Sequence, residues 1–211
     1  MADKLDYKKE YSDLYLPKGE PVFIQVPAIS FIMVDGHGDP NGEEYQNAVG
    51  ILYALSFTIK MSKMGASQPE GYFDYVVPPL EGLWGCGDDQ QFDLHRRDAW
   101  VWTSMIRQPE FVTDEVFHRA CEQAAKKKPE LDFSKARLAV YEEGPCVQLM
   151  HVGPFSTEPA SVEKIEQFIR EHHFIDDCGG ERRHHEIYLS DPRKAAPEKL
   201  KTVLRHPVRQ R

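Results

Sequence analysis

The stretch His184-His185-Glu186-Ile187-Tyr188-Leu189-Ser190-Asp191-Pro192 decides how we interpret this chain. Glu186 and Tyr188 alternate with apolar residues, which is the two-residue period of a β-strand. One face of this strand is therefore apolar, and the other carries a carboxylate beside a phenol. Pro192 ends the strand, because proline has no N–H for the ladder of hydrogen bonds. A solvated edge strand is the alternative, since carboxylates are mostly exposed.

The composition indicates a globular protein with its own core. The chain has 211 residues, 41% of them hydrophobic, and a net charge of −8. No apolar run approaches the roughly 20 residues of a membrane span, and the charged first residues do not resemble a signal peptide. We therefore expect a cytoplasmic protein with no membrane contact. The negative net charge opposes direct binding to nucleic acid.

Residues 1–20 are polar and mixed in charge, so we expect an arm that lies on the surface, followed by a single domain over 21–211. Four cysteines are widely spaced and form no Cys-x-x-Cys pair, which favours reduced thiols over a disulfide framework. They are Cys86, Cys121, Cys146 and Cys178.

Hydrophobic periodicity and turn residues predict the order of the elements. The predicted elements are a strand over 28–34, a helix over 43–64, a strand over 72–77, a glycine-rich loop over 80–87, a strand over 99–106, a helix capped by Thr113 and ending at 126–128, a β-hairpin of 137–141 and 146–152, a helix over 158–173 and a strand over 201–208.

Trp100 and Trp102 lie two residues apart on a predicted strand, so both indoles share one face. We expect this face to form an aromatic wall of a ligand cleft, while Val101 and Met105 pack against helices. Ordinary core packing is the alternative, because tryptophan is usually largely buried.

The two halves of the chain repeat the order strand, loop, helix, strand, strand over about 28–109 and 146–208. The closing strands also share a pattern, two apolar residues followed by Arg-x-Pro, at Arg107 and Arg205. We predict an α+β fold of duplicated β-α-β-β units, which form a curved antiparallel sheet with helices on one face and a ligand cleft on the other. In this register Asp74 matches Glu186.

Several motifs resemble the GyrI-like small-molecule-binding proteins, which are relatives of the AraC-type effector-binding domains. The motifs are Cys146-Val147-Gln148-Leu149-Met150-His151-Val152-Gly153-Pro154-Phe155, Glu186-Ile187-Tyr188-Leu189-Ser190-Asp191-Pro192-Arg193, Pro197-Glu198-Lys199-Leu200, and, for a stand-alone subgroup, the segments 35–44 and 79–84. The resemblance covers about residues 20–210. It implies a pseudo-twofold domain whose cleft, lined by aromatic residues and a key glutamate, takes up planar or cationic amphiphiles. Some stand-alone members are cyclopropanoid hydrolases that destroy DNA-alkylating natural products.

Hydrolysis is the first of two functions that fit these residues. Opening a cyclopropane conjugated to a dienone needs a base that activates water and a donor that meets the carbonyl oxygen. We assign Glu186 to the water with Glu81 assisting, and consider Tyr188, Tyr141 and His151 as donors. The flat substrate would lie against Trp84, Trp100 and Trp102.

Binding without chemistry is the second function, because the same acidic and aromatic cleft would hold an aromatic or cationic ligand. A protein partner stays open as well. We expect no cofactor, and we expect no DNA-binding domain because the arm before the first strand is too short for one. A metal site is a third interpretation, built on His172, His173, Cys178, His184 and His185, although adjacent strand histidines point to opposite faces.

Overall fold

The computed structural model describes residues 4–64, 68–86, 99–179 and 182–211. Its strands are β1 (Val22–His37), β2 (Leu80–Cys86), β3 (Trp100–Arg107), β4 (Ala136–Val152), β5 (Phe174–Asp176), β6 (His184–Tyr188) and β7 (Lys201–Gln210). Its α-helices are α1 (Tyr7–Glu10), α2 (Ser12–Tyr15), α3 (Glu43–Met61), α4 (Asp114–Lys127) and α5 (Glu158–Glu171). Short 3-10 helices cover Ser62–Met64, Phe133–Lys135, Phe155–Thr157 and Pro197–Lys199.

The strands form an antiparallel sheet that closes on itself. The order is β4-β1-β3-β2-β6-β7, and β4 also pairs with β7, so these six strands make a ring. The short β5 adds to the far end of β7. None of the helices within the described ranges is long and apolar enough to cross a membrane.

The sheet confirms the predicted α+β class and the duplication of a β-α-β-β unit. The first unit is β1-α3-β2-β3 and the second is β4-α5-β6-β7, and the two units meet where β2 pairs with β6. The two arginines of the Arg-x-Pro pattern occupy equivalent positions, since Arg107 pairs with Phe31 of β1 and Arg205 with Gln148 of β4.

Side chains alternate between an outer face, which the helices cover, and an interior. On the outer face, α3 and α4 pack over the first unit around Ile51, Leu52 and Phe117, while Ile165 of α5 packs over the second. The interior side chains form a separate cluster that includes Phe31, Met105, Ile187 and Val203. Both faces of the sheet are therefore buried.

The arm is not confined to the surface, as we had expected from its polar composition. Tyr7, Leu14 and Tyr15 are buried, and Leu14 and Tyr15 belong to the interior cluster. Arg107 lies beneath the rings of Tyr7 and Tyr11, with its guanidinium carbon 4.4 Å and 4.1 Å from their centres. The cleft expected on this face is thus filled, and a cavity of about 10 Å³ remains, which is room for about one water molecule.

The assignment of the second strand was wrong. Residues 72–77 make only an isolated bridge between Leu5 and Tyr75, whereas the predicted loop forms β2. Asp74 consequently has no equivalence with Glu186; it lies 3.0 Å from the ammonium groups of both Lys60 and Lys63. These contacts lower the pKa of Asp74 to about 2.

The predicted hairpin at 137–152 is a single strand. β4 pairs with β1 in one continuous register from Ala136 to Gln148. Gly144 within it has a φ of 73°, a conformation that glycine adopts without the strain of a side chain. The chain therefore bends here instead of reversing direction.

The prediction for the strand of two tryptophans was half right. Trp100 and Trp102 do share a face, but it is the face covered by α3, and Met105 lies in the interior. The aromatic wall of an open cleft is therefore wrong as we placed it. The ring of Trp102 lies directly over Gly36, so an alanine there would collide with the indole.

Candidate functional site

The outer face of the sheet brings together two carboxyl groups and three aromatic rings, which we call the helix-side site. β2 contributes Trp84 and β6 contributes Glu186 and Tyr188, at positions that alternation turns outward. Tyr45 comes from the first turn of α3, and Glu158 is the first residue of α5. The site therefore lies where the two repeated units meet.

The aromatic part of the site is held together by stacking and one hydrogen bond. The Tyr45 ring stacks on Trp84 with 5.6 Å between ring centres. The indole Nε1–H of Trp84 donates to the Tyr188 hydroxyl over 2.9 Å. Gly82 makes room for this pair, because a Cβ at Gly82 would lie 2.8 Å from the indole nitrogen and 3.3 Å from the hydroxyl oxygen.

The Glu186 carboxylate is flanked by two neighbours on its own strand. His184 Nε2 lies 3.3 Å from Glu186 Oε1. Burial lowers the pKa of His184, so the ring is neutral at physiological pH and can donate only one N–H. Burial and then the charge of Glu186 raise the pKa of Tyr188 well above its usual range, so this phenol keeps its proton.

Glu158 is the unusual group of the site. Only 7% of this residue is exposed, and its Oε1 has no hydrogen-bond partner within the described part of the chain. Burial, followed by the charge of Glu186, raises the pKa of Glu158 to about 9, although Thr202 opposes the shift. Glu158 is therefore a protonated carboxyl at neutral pH, with an oxygen left over for a ligand.

One aromatic side chain at the surface borders the site. Phe155 is 45% exposed, and its ring meets Tyr188 edge-on with 6.1 Å between centres. A flat apolar molecule that stacks on Phe155 would therefore lie beside Tyr188 of the site.

The predicted residues Glu81 and Tyr141 lie in the interior, on the other side of the sheet from Glu186. Glu81 Oε2 lies 3.0 Å from His185 Nε2, and the Tyr15 hydroxyl donates to Glu81 Oε1 over 3.2 Å. Tyr141 lines the small interior cavity, and its hydroxyl has no partner among the described residues. Glu81 therefore cannot assist Glu186 as we predicted.

The interior network continues from His185 to two further charged groups. His185 Nδ1 lies 3.0 Å from Glu143 Oε2, which also accepts a hydrogen bond of 2.8 Å from Arg205. Burial alone would lower the pKa of His185, but Glu143 and Glu81 outweigh it and raise the pKa. Burial is likewise outweighed at Glu143, where His185 and Arg205 lower the pKa to about 2. Two carboxyl groups, a histidine and an arginine thus satisfy one another inside the sheet.

Three other residues that were predicted to bind a ligand, Trp100, Trp102 and His151, support the structure around the site. Trp100 meets Trp84 edge-on at 5.6 Å, and Trp102 meets Tyr45 edge-on at 5.0 Å, so both indoles lie behind the aromatic part of the site. His151 holds the start of α5: its Nδ1 lies 2.9 Å from Ser161 Oγ and its Nε2 lies 3.3 Å from the Pro154 carbonyl. We leave these three residues out of the site.

Tyr45 and Glu158 were not predicted as site residues from the sequence. An acidic residue in the first turn of a helix is common, because it complements the helix dipole, so Glu158 gave no signal of its own. Tyr45 looked like one of several apolar positions of its helix. The repeat could have indicated Glu158, because this residue begins the helix of the second β-α-β-β unit and Glu186 lies on a strand of the same unit.

Comparisons with known proteins agree with this architecture. A conserved protein from Listeria innocua of known crystal structure is 57% identical, with a TM-score of 0.94 over 98% of this chain and 100% of that one. A hydrolase from the same organism is 55% identical, with a TM-score of 0.90 over the same shares. The EcmrR C-terminal domain, at 10% identity and a TM-score of 0.54 over 91% of this chain and 98% of that one, shares the fold. None of the curated proteins matches.

The family model that matches is the one described as the GyrI-like small molecule binding domain, and the match covers residues 19–209. This range includes every residue of the helix-side site and leaves out most of the arm. The chain belongs to the GyrI-like family of small-molecule-binding domains.

Proposed function

We propose that the helix-side site binds flat aromatic molecules and hydrolyses those that carry a cyclopropane fused to a dienone. The observation that carries this proposal is the buried, protonated carboxyl of Glu158 beside the charged carboxylate of Glu186. Two neighbouring carboxyl groups in different protonation states supply an acid and a base at the same pH. Relatives that are named hydrolases, at 55% and 56% identity, support a reaction of this type.

Binding comes first from the aromatic rings. The substrate would stack on the Tyr45 and Trp84 side of the site, with Phe155 at the solvent edge. Burial of a flat ring system against such side chains contributes about 0.5–1.5 kcal/mol per aromatic pair beyond the area that it buries. The reacting atoms would then lie over Glu158 and Glu186.

In the chemical step, water attacks a cyclopropane carbon while Glu186 accepts a proton from that water. The new C–O bond forms as the strained C–C bond breaks, and its electron pair moves through the dienone to the carbonyl oxygen. Glu158 donates its proton to this oxygen, which becomes the hydroxyl group of a phenol. The products therefore gain one water, and proton exchange with solvent restores both carboxyl groups.

Binding without chemistry is the second candidate, and the family description itself favours it. The Glu186 charge beneath aromatic rings suits a planar cation, since a cation over a ring face gains about 0.5–2 kcal/mol. In that case the protein would hold such molecules and release them unchanged.

The experiment is to incubate the protein with a cyclopropane-fused dienone and to follow the addition of one water by mass spectrometry. We expect Glu186→Gln and Glu158→Gln each to lose about two decades of rate or more, because each removes a proton-transfer group. Both variants should still quench tryptophan fluorescence on binding. Glu163→Gln, an exposed position of α5, is the matched control and should react like the wild type.

Two results would contradict the proposal in different ways. If the wild type binds the compound and returns it unchanged, the protein is a binder. If the wild type adds water and the two variants add it equally fast, the reaction occurs elsewhere.

A further inference from the structure

Three metal-ligating side chains share one face of the ribbon that β5 forms with β7. Asp176 pairs with Val208, and the Asp177 N–H donates to the Pro207 carbonyl over 2.9 Å. Continuing this register places Cys178 opposite His206. Asp176 and Cys178 are two residues apart, so their side chains lie on the same face of the ribbon. A residue directly opposite on the neighbouring strand shares that face, so the His206 side chain lies there too.

The distances already approach those of a metal site. His206 Nδ1 lies 3.1 Å from Asp176 Oδ2, and the Cys178 N–H donates to the other carboxylate oxygen over 2.9 Å. One ligand atom from each of the three residues lies within 4.8 Å of the others. A tetrahedral zinc ion, with bonds of about 2.0–2.3 Å, separates its ligand atoms by about 3.3–3.7 Å. Asp176 and Cys178 are both exposed, so their side chains have room to rotate toward an ion.

His206 is the buried and fixed member of the group. Only 6% of it is exposed, and its ring packs edge-on against His184 with 5.0 Å between centres. Its Nε2 has no hydrogen-bond partner within the described ranges. Without a metal, Nδ1 donates its proton to the Asp176 carboxylate. No described partner on the Nε2 side opposes a transfer of the proton to Nε2, so the ring can present the lone pair of Nδ1 to a metal.

The surrounding charges are compatible with a cation. Arg182 and Arg209 both bond to Asp177, at 2.7 Å and 3.2 Å, so Asp177 offsets one of their two positive charges outside the three ligands. A thiolate and a carboxylate together neutralise a divalent ion. The mixture of sulfur, nitrogen and oxygen ligands suits Zn²⁺, whereas Mg²⁺ and Ca²⁺ prefer oxygen alone.

We propose that Asp176, Cys178 and His206 bind one Zn²⁺ ion, with water as the fourth ligand. This site is separate from the helix-side site and does not depend on its function. It also differs from the histidine site considered from the sequence. His184 lies beside Glu186 on the outer face and His185 beside Glu81 in the interior, while His172 Nδ1 lies 2.9 Å from the Phe168 carbonyl. The ion would cross-link the last strand to β5 and fix the ring on which His184 packs.

The test is a titration of the metal-free, full-length protein with Co²⁺, which takes the place of zinc and reports its ligands by absorption. We expect one equivalent to produce a thiolate-to-cobalt charge-transfer band and the visible bands of a tetrahedral ion, and Zn²⁺ to abolish them. Cys178→Ser should lose the charge-transfer band. Cys121→Ser, a partly buried cysteine of α4, is the matched control and should keep it.

Asp176→Asn keeps the size of the side chain and should weaken Zn²⁺ binding by at least about tenfold, while circular dichroism confirms that the variant is folded. The proposal is overturned if the wild type gives no charge-transfer band. It is equally overturned if the band survives Cys178→Ser, or if folded Asp176→Asn binds Zn²⁺ as tightly as the wild type.

Discussion

Glu158 at the start of α5 lies close enough to Glu186 on β6 for the charge of Glu186 to raise its pKa. Burial contributes the larger part of the shift, and together the two effects bring the pKa of Glu158 to about 9. Glu158 therefore keeps its proton to a much higher pH than an ordinary glutamate. Shifts of this kind allow neighbouring carboxyl groups to play different roles.

The first prediction is that Glu186→Gln lowers the pKa of Glu158. The substitution removes the negative charge but keeps the size of the side chain, so burial remains as the main cause of the shift. The measurement is a carbon-13 NMR titration of glutamate carboxyl groups, in which Glu158→Gln identifies the signal. An unchanged titration midpoint in Glu186→Gln would mean that the two groups do not interact.

The second prediction concerns stability and pH. The folded pKa of Glu158 is about 9 and the ordinary value is 4.5, so between these values the folded state holds a proton that the unfolded state has lost. The free energy of unfolding therefore falls as the pH rises through this window, by up to about 1.4 kcal/mol per pH unit. Glu158→Gln cannot ionise and escapes this loss.

We accordingly expect Glu158→Gln to gain stability over the wild type steadily from about pH 5 to about pH 9, as measured by urea unfolding. Groups other than Glu158 titrate in both proteins, so they cancel in the difference. The free energy of unfolding of Glu163→Gln should change with pH in the same way as that of the wild type. Parallel curves for Glu158→Gln as well would show that Glu158 is ionised in the folded protein.

The third prediction is that Tyr15→Phe destabilises the protein by about 1–3 kcal/mol, because it leaves the buried Glu81 without one of its hydrogen bonds. Tyr11→Phe is the control, since it keeps the ring that covers Arg107. Urea unfolding measures both. Equal stability of the two variants would indicate that the hydroxyl of Tyr15 contributes nothing to the docking of the arm.

The fourth prediction is that Gly82→Ala weakens the binding of a planar acridine dye by about one to two decades. The added methyl group would collide with the indole of Trp84 and disturb its hydrogen bond to Tyr188. Gly50→Ala is the control, because the nearest side-chain atom there, on Leu131, lies at an ordinary 3.5 Å. Quenching of tryptophan fluorescence measures affinity. Wild-type affinity in Gly82→Ala would place the dye away from Trp84.

Much of the fold could be predicted from the sequence because strong periodicity marks its long elements. The helices that became α3, α4 and α5 stand close to their predicted positions, and β1 contains the strand predicted over 28–34. The strand β2 was missed because Gly82 and Gly85 resemble a loop, and a glycine inside a strand is explained only by the Trp84 ring that needs its space.

The site was less predictable, for a reason that lies in the closed sheet. Alternation correctly places Trp100 with Trp102 and Glu186 with Tyr188, but it does not say which face the helices cover when both faces are buried. Glu81 was placed beside Glu186 for another reason: its segment was predicted as a loop, and a loop does not fix which face of the sheet a side chain occupies. The pairing of Glu158 with Glu186 is a tertiary contact, and no local sequence pattern predicts it.

The docking of the arm has a consequence for how the chain folds during synthesis. The Leu14 carbonyl accepts a hydrogen bond of 2.9 Å from Arg205, a separation of 191 residues along the chain. Leu14 leaves the ribosome long before Arg205, which follows 191 residues later. The interior is therefore completed only after Arg205 has left the ribosome, and contacts between residues so far apart in the chain form slowly.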